Sequence, residues 1–512
     1  MTSPTSERRP TSNDVSIGTF VAGVTSLTLF GFWLRWHGLS RGSLYRDDAW
    51  VALTRRVPWH TAWHMVGTAP GFVMVERLWV WICAPSTWWA QIPTLVVATV
   101  GLVVFAIVAT WWGLSRRAAL FATLLIVVSP VAVTYATHLK PYSHDILATT
   151  LVLAAAEWWR RGHSAWPFAF VSVISLATAF DPAPLIAGVA VAMAIIAVRG
   201  GRWRQLIAPG VGALIPVGLL YLAVRDGISP QLATSWKPNF VHFDSLHSVL
   251  HSTWTITSGL VTGFVDVAPH LHIPGYTKSL IIVTVVLAII GAFAAPANAL
   301  AAAGVIGAVV GSVAHLVPLG TGRTDAYLYP ALALLVAGGI HTTVAFVRTR
   351  QPVLSRISIV VVLVFSLATA FDLGTHRPTY PGGSIDPVAH SAHSILASGG
   401  AVLIEGTARW PWTYYEERHV HLVFSDKYNT GFAPLSDNPN VVIMPGTTIE
   451  GGYNPTAAVA ALGRHRQVLY VRTDDWPALG DPLQAAFRSA CFVPIRTAHV
   501  PGYLEEWLSR RC

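Results

Sequence analysis

Tyr45-Arg46-Asp47-Asp48-Ala49-Trp50 follows the first long apolar segment of the chain, residues 15–36, at the point where a polypeptide that has crossed a membrane would emerge. Two adjacent carboxylates beside an arginine are ordinarily solvated loop charge, because most charged side chains are exposed. At the mouth of a lipid layer the alternative is a catalytic carboxylate in a membrane-surface site. The rest of the chain decides between the two.

The sequence has 512 residues, of which 53% are hydrophobic and only 12% charged, and its mean hydropathy is +0.52. A soluble domain carries about 25% charged residues, so this chain is built for lipid. Its length alone would allow roughly three or four soluble domains, but the repeated apolar runs recast it as one helical membrane domain with a tail. The net charge of +9 would suit nucleic acid. That partner is excluded, because the arginines sit in short clusters between apolar runs, as the positive-inside rule requires. Trp33, Trp36, Trp111, Trp112, Trp158 and Trp159 flank expected helix ends, where interfacial aromatic belts lie.

Taken in order, residues 1–14 read as a disordered cytoplasmic lead. Residues 15–36 read as an uncleaved anchor, since no small-residue cleavage site follows. Residues 37–91 form a long outer loop, in which Gly71–Trp81 is apolar but broken by Glu76 and Arg77, as in a helix lying in the interface. Further runs long enough to cross a bilayer follow at 92–112, 118–136, 144–159, 164–180, 182–198, 205–224, 277–295, 297–316, 326–347 and 354–372. The expected fold is therefore a polytopic α-helical membrane protein of about eleven spans. Arg116/Arg117, Arg160/Arg161, Arg199/Arg202/Arg204 and Arg348/Arg350/Arg356 all fall on the side of the N-terminus, which places it in the cytoplasm and the C-terminus outside. The loop 37–91 breaks the rule, with Arg41, Arg46, Arg55, Arg56 and Arg77 on the outer face.

Residues 225–276 read as a second outer loop, and 373–512 as a small extracytoplasmic α/β domain. Ala401–Ile404, Val441–Met444 and Gln467–Val471 have the composition of buried strands, with helices at Ala457–Leu462 and Pro482–Ala490 between them. Cys491 and Cys512 would pair if this tail faces an oxidising compartment, and the sequence leaves that open. An Ala/Val/Arg-rich style without organelle signals points to a bacterial plasma membrane.

Asp, Glu, Lys and Arg are almost absent from the interiors of the expected spans, whereas proton-coupled carriers keep such groups at mid-membrane depth. The polar residues gather at the outer ends, which favours a reaction at the outer leaflet over a polytopic transporter or lipid flippase. A non-catalytic membrane scaffold with an outer binding domain is the other rival. Four outer clusters stand out: Tyr45–Trp50, His138–Asp145, the loop carrying Trp236, Lys237, His242 and Asp244, and Gly320–Pro330. Each has a plain reading of its own. On that reading Lys140 and Arg323 only snorkel to headgroups, and Gly320–Gly322 suits a tight turn better than a phosphate fingerprint. His60 and His64 have metal-ligand spacing on a helix but no acidic third ligand nearby, and Trp59 and Trp63 point to an interfacial helix instead. Arg409–Glu417 reads as a packed helix start before it reads as a carbohydrate contact.

The ordered motifs Arg46–Trp50, Ala69–Phe72, Gln91–Thr94, Arg116-Arg117, Leu139–Asp145 and Arg323–Pro330 together resemble the GT-C glycosyltransferases, among them protein O-mannosyltransferases and the lipid A aminoarabinose transferase. The chain departs from that pattern at Thr68-Ala69-Pro70-Gly71, where relatives often have His-Pro-Pro or Lys-Pro-Pro, and at His138, where many have an acid. The resemblance implies inverting transfer of a sugar from a polyprenyl-phosphate donor to a lipid, glycan or protein acceptor, among membrane lipids and without nucleic acid. Its leaving group is a phosphate that departs without a general acid, so the enzyme needs a base for the acceptor hydroxyl and cations for the growing phosphate charge. On that reading Asp47 is the base and Asp48 orients the acceptor or tunes Asp47. Lys140 and Arg323 clamp the phosphate, with Arg46 or Arg55 sharing the task, and His138, Tyr142, Asp145 and Tyr327 contact substrate. No obligatory metal is expected; a divalent ion held by Asp47 and Asp48 is the alternative.

Overall fold

A computed structural model describes residues 14–40, 42–44, 46–65, 69–83, 86–225, 236–266, 275–350, 383–425, 428, 430–444, 454–473 and 480–512. The first helix, α1 (Ile17–Trp36), is capped by Ser16, whose hydroxyl accepts the Thr19 N–H at 3.1 Å. Three shorter elements follow, α2 (Arg46–Leu53), α3 (Trp59–His64) and α4 (Pro70–Ile82), and then the long α5 (Thr87–Trp111). α4 exposes Met74, Leu78, Trp81 and Ile82 along one side, the amphipathic habit of an interfacial helix.

The expected span 118–136 is not continuous. It divides into α6 (Arg116–Val127) and α7 (Pro130–Thr134), because Pro130 has no N–H to give and its ring disfavours helical geometry at Ser129. The carbonyls left open at the end of α6 are met by Arg35, which is 1% exposed and donates to Ile126 O at 3.1 Å and Val127 O at 3.1 Å. The bundle continues through α8 (Tyr142–Arg160), α9 (Trp166–Thr178), α10 (Ala183–Arg199), α11 (Arg204–Val224), α12 (Leu246–Val265), α13 (Tyr276–Ala294), α14 (Asn298–Val313) and α15 (Tyr329–Arg350).

Among the described residues, five segments are long and apolar enough to cross a membrane: Ile17–Trp36, Thr87–Trp111, Arg204–Val224, Tyr276–Ala294 and Ala326–Val347. Trp166–Thr178, Ala183–Arg199 and Asn298–Val313 are apolar but shorter. The expected span 354–372 lies outside the described residues. The supposed outer loop 225–276 contains the 20-residue α12. Its Ser, Thr and His residues lower its hydropathy, yet Ile256, Val261, Phe264 and Val265 are buried. Helices α13 and α15 approach so closely that a Cβ added at Gly291 or Gly339 would strike the carbonyl of Leu335 or Leu287, the small-residue packing that replaces hydrophobic drive between membrane helices.

Beyond residue 383 the chain changes layer type. A five-stranded sheet of order β4-β1-β5-β7-β6 is built from β1 (Ala401–Ile404), β4 (Val441–Ile443), β5 (Gln467–Thr473), β6 (Phe492–Val500) and β7 (Tyr503–Arg510). β4, β1 and β5 run parallel, and β7 is antiparallel to both neighbours. Val402, Ile404, Leu469 and Val471 face α16 (Asp386–Ala397) and α17 (Arg409–Tyr415). Ala401, Leu403, Val468 and Tyr470 face α18 (Pro455–Ala461) and α19 (Gly480–Ser489). Burial on both faces is why β1 reads as an unbroken apolar run. A separate hairpin pairs β2 (His421–Phe424) with β3 (Phe432–Leu435). Cys491 and Cys512 are joined by a disulfide.

This unit is clamped onto α2. Trp50 and Trp410 pack with tilted rings whose centroids are 4.4 Å apart, and the Leu44 N–H donates to the Tyr415 hydroxyl at 2.8 Å. Arg56 donates to the carbonyls of Glu417 at 2.6 Å and Arg418 at 3.0 Å, and also to that of Tyr414. These carbonyls lie at the negative end of α17, where a cation is favoured. The excess arginines of the loop 37–91 thus hold structure together: Arg55 pairs with Glu76 and Arg77 with the carbonyls of Thr54 and Val57.

Candidate active site

Asp47 is the second residue of α2, which opens on Arg46 in left-handed backbone (φ 26°). Its Oδ2 lies 3.1 Å from Nη1 of Arg323 and 3.7 Å from Nζ of Lys140. Three charged residues remote in sequence therefore meet at one end of the bundle. The Asp47 side chain is 49% exposed, so the meeting point is open to a ligand. Lys140 above all holds the Asp47 carboxyl down to about 2, against burial, with Arg323 next and Arg46 contributing less. The Arg323 guanidinium also lies over the ring of Trp236, 5.3 Å from its centroid, a cation–π contact that fixes its plane.

The acidic pair is divided. Asp48, 1% exposed, accepts the Leu139 N–H at 3.1 Å and lies 3.0 Å from Nδ1 of His138. Successive helical residues point some 100° apart, so one of the pair reaches the crevice while the other anchors the loop that carries Lys140. His138 answers Asp48 at the position where the sequence departs from the pattern it resembles. Asp48 and His138, expected among the catalytic and substrate-contacting residues, are engaged with each other. The two carboxylates are also directed at different partners, an arrangement unlike a shared metal cradle. Among the described residues no group of three or more His, Cys, Asp or Glu side chains is placed to hold a metal.

Arg55, expected to share the phosphate, is instead bound to Glu76, both being buried. Tyr142 is buried with its ring set edge-on to Tyr135, at 4.9 Å between centroids. Asp145 and Tyr327 are each fully buried; the Asp145 carboxyl lies against that of Asp181, and the Tyr327 hydroxyl reaches no hydrogen-bond partner. Lys237 and Asp244, from the third outer cluster, are exposed.

Three acidic or aromatic neighbours have no role in the sequence reading, although Asp325 lies within its Gly320–Pro330 cluster. Asp325 accepts the N–H groups of Gly320 at 3.2 Å and Gly322 at 3.1 Å. It thereby shapes the turn that presents Arg323, and burial pushes its carboxyl up to about 6. Asp181, in the turn between α9 and α10, is pushed up to about 7, first by burial and then by Asp325, while Lys140 and Arg323 pull the other way. Tyr135 lies between His138, 5.0 Å away, and Tyr142. A lone Asp before a proline carries no local mark of function, so only the folded chain exposes Asp181.

Gly320 and Gly322 both have left-handed backbone (φ 74° and 71°), which glycine adopts at no steric cost. Gly320 also presses against α12, where a Cβ on Gly259 would collide with the Gly320 carbonyl. Beside this contact lies a cavity of about 340 Å³ lined by Gly259, Thr262, Gly263, Asp266, Gly320, Thr321 and Gly322.

No protein-family model and no curated protein matches the sequence. Among solved structures the chain is similar to ArnT from Cupriavidus metallidurans bound to undecaprenyl phosphate, with a TM-score of 0.56 and 14% identity over 96% of this chain and 98% of that one. The apo form of the same protein gives 0.57 and 13% over the same shares. An oligosaccharyltransferase from Archaeoglobus fulgidus superposes with a TM-score of 0.47 and 11% identity, over 77% of this chain and 63% of that one.

Proposed function

We propose that this chain, which has the fold of the GT-C glycosyltransferase ArnT, is a membrane glycosyltransferase. It moves a sugar from a polyprenyl-phosphate donor to an acceptor hydroxyl at the outer face of the plasma membrane, with inversion. The observation that carries this reading is the position of Asp47 between Arg323 and Lys140. One carboxylate and two cations at an exposed mouth are what displacement of a phosphate by a hydroxyl requires.

In the free protein Asp47 is a poor base, since a carboxyl held at about 2 has little affinity for a proton. A donor phosphate arriving at Lys140 and Arg323 competes for both cations. As their charge is shared with the phosphate, the carboxyl of Asp47 regains basicity. Donor binding then prepares the base in the same act that positions the leaving group.

The acceptor O–H gives its proton to Asp47 as its oxygen bonds to the anomeric carbon. The bond from that carbon to the phosphate oxygen breaks, and its electron pair leaves with the polyprenyl phosphate. Lys140 and Arg323 take up the charge that grows there, the electrostatic term that dominates such transfers. A single displacement from the opposite face inverts the anomeric carbon. Arg46, already felt by Asp47, adds positive field. Asp48 and His138 act on the geometry from behind.

The experiment is transfer by the purified protein in nanodiscs. Polyprenyl-phosphate sugars are offered with a mixed envelope-lipid and glycan acceptor fraction, and wild type is compared with Asp47→Asn. Donor-dependent labelling by wild type and its loss in the variant are expected. Labelling that persists in Asp47→Asn removes the base assignment, and no labelling by wild type across the donor panel removes the reaction.

A further inference from the structure

The sheet-bearing unit carries an apolar groove that the transfer reaction leaves unused. In the β2–β3 hairpin, Leu422 and Phe424 share one face with Phe432, because alternate residues of a strand point the same way. Phe432 turns that face onto Trp50, with ring centroids 6.1 Å apart. The opposite face is left with His421, Val423 and Leu435, all exposed. It forms one wall of a cavity of about 400 Å³, and Val57, Pro58 and Thr61, where the chain enters α3, form the other. Helix α3 fixes the depth of this groove. It packs on α4, which begins at the end of the bundle that holds Asp47: a Cβ on Gly71 would strike the carbonyl of Ala177 near the close of α9, and Phe72 lies edge-on to His144, 5.2 Å away. It also packs on α11, a span that buries only Pro209 and so gives its apolar side chains to lipid. From its other flank α3 exposes Trp59 and Trp63, residues of the kind that mark a membrane–water boundary. The groove is thus within one helix diameter, about 10 Å, of the interfacial tryptophans.

We propose that the hairpin face bearing Val423 and Leu435 is a membrane-docking surface, seated on the phospholipids of the outer leaflet, whose acyl chains fill the groove against α3. Lipid is the occupant already at this depth, since it meets Met74, Leu78, Trp81 and Ile82 along the exposed side of α4 and the apolar surface of α11. Among the described residues lining the groove there is no Asp, Glu, Lys or Arg, so no charge loses its hydration when lipid enters. The charges at the rim suit headgroups. Arg418 is exposed two residues before Val420, placed to meet a lipid phosphate. Asp437, which would repel one, is engaged by Nε2 of His421 at 3.1 Å and by the His419 N–H at 3.1 Å. Because the reverse face of the hairpin meets Trp50 through Phe432, docking on lipid also steadies the sheet-bearing unit against the helix that carries Asp47.

The test uses the full chain with Cys83→Ser, so that one introduced cysteine carries an environment-sensitive dye while Cys491 and Cys512 stay paired. Val423→Cys reports on the hairpin and Trp81→Cys on α4; both positions are exposed, so neither substitution disturbs packing. Each labelled protein is placed in phosphatidylcholine–phosphatidylglycerol nanodiscs, with lipids either plain or brominated near the headgroup end of the acyl chains. Brominated lipid is expected to quench the dye about twofold at both positions, since an interfacial element seats its apolar face about 5–10 Å into the boundary between headgroups and acyl chains. Quenching at 81 with less than about a tenth of the signal lost at 423 overturns the docking surface and leaves both the membrane helices and the transfer reaction standing. A blue-shifted dye at 423 that bromine does not quench marks a protein occupant, whether a second copy or another partner, and overturns it as well. Quenching at neither position overturns it together with the interfacial reading of α4.

Discussion

Asp48 accepts the backbone N–H of Leu139 at 3.1 Å, and through that bond the helix bearing Asp47 is tied to the loop bearing Lys140. A hydrogen bond with a charged acceptor at a buried position is worth about 1.5–3 kcal/mol. Removing the acceptor leaves both the amide and His138 without their carboxylate. Asp48→Ala is therefore expected to lower the thermal midpoint and to cut kcat/KM by about tenfold or more through displacement of Lys140. Asp48→Asn, which retains an acceptor for Leu139, should recover most of the stability. Equal losses in the two variants, read by thermal unfolding and initial rates, would mean that the contact to Leu139 does not set the site.

The pH dependence of transfer separates Asp47 from Asp181. Asp47 is held at about 2, mainly by Lys140, so in the free protein it stays ionised throughout the neutral range and places no acid limb there on kcat/KM. Asp181 is pushed up to about 7 by burial, so its proton is lost as pH rises through neutrality. Because Asp181 lies in the field of Lys140 and Arg323, its new charge would compete with the donor phosphate for those cations, and KM for the donor is expected to rise above about pH 7. The inflection should disappear in Asp181→Asn. An unchanged profile in that variant would assign the inflection to another group.

Glu405 follows β1, is fully buried, and neither of its carboxyl oxygens has a hydrogen-bond partner. Burial raises it from 4.5 to about 7, opposed by Arg472 and aided by Glu506. A raised acid contributes stability that is complete below its unfolded value and is lost as pH climbs through the folded one. The protein should therefore lose stability between about pH 4.5 and pH 7. Glu405→Gln should flatten that decline and stabilise the protein at pH 8, by on the order of 2–3 kcal/mol at most. Thermal midpoints across pH for the two proteins decide this, and parallel curves would contradict it.

Arg56 and Trp410 join the sheet-bearing unit to α2. Truncating a buried Trp costs about 3–5 kcal/mol, and here part of that loss falls on the contact with the helix that carries Asp47. Trp410→Ala is expected to depress kcat while leaving affinity for bare undecaprenyl phosphate nearly intact, because Lys140 and Arg323 lie on other elements. Limited proteolysis should also cut more readily near residue 383. A variant with full kcat would show that the unit docks without ordering the site.

Much of this arrangement is legible in the chain, and the exceptions share a cause. The order of Arg46–Trp50, Leu139–Asp145 and Arg323–Pro330 points to one crevice, and Asp47, Lys140 and Arg323 do meet there. β1 and β5 are readable because strands buried on both faces form apolar runs. β6 and β7 are not readable, since Arg496 and Glu506 on wetter positions and the buried Glu505 interrupt their apolar pattern. α12 is hidden by its Ser, Thr and His content. Arg55 resembles a phosphate ligand until Glu76, 21 residues away, is found against it. The chain displays charge, whereas the partner of each charge is a property of the fold. The place of Asp181 and Asp325 in the site is unreadable in the chain for the same reason, although Asp325 lies within the Gly320–Pro330 cluster.

The account stands most directly on Asp47, and single-turnover transfer by Asp47→Asn with donor already bound isolates it. General-base catalysis contributes about 10²–10⁴-fold, so the variant should hold undecaprenyl-phosphate sugar at wild-type occupancy or better and transfer it at least about 100-fold more slowly. Transfer at a rate within about threefold of wild type, with donor equally bound, would contradict the role given to that carboxylate.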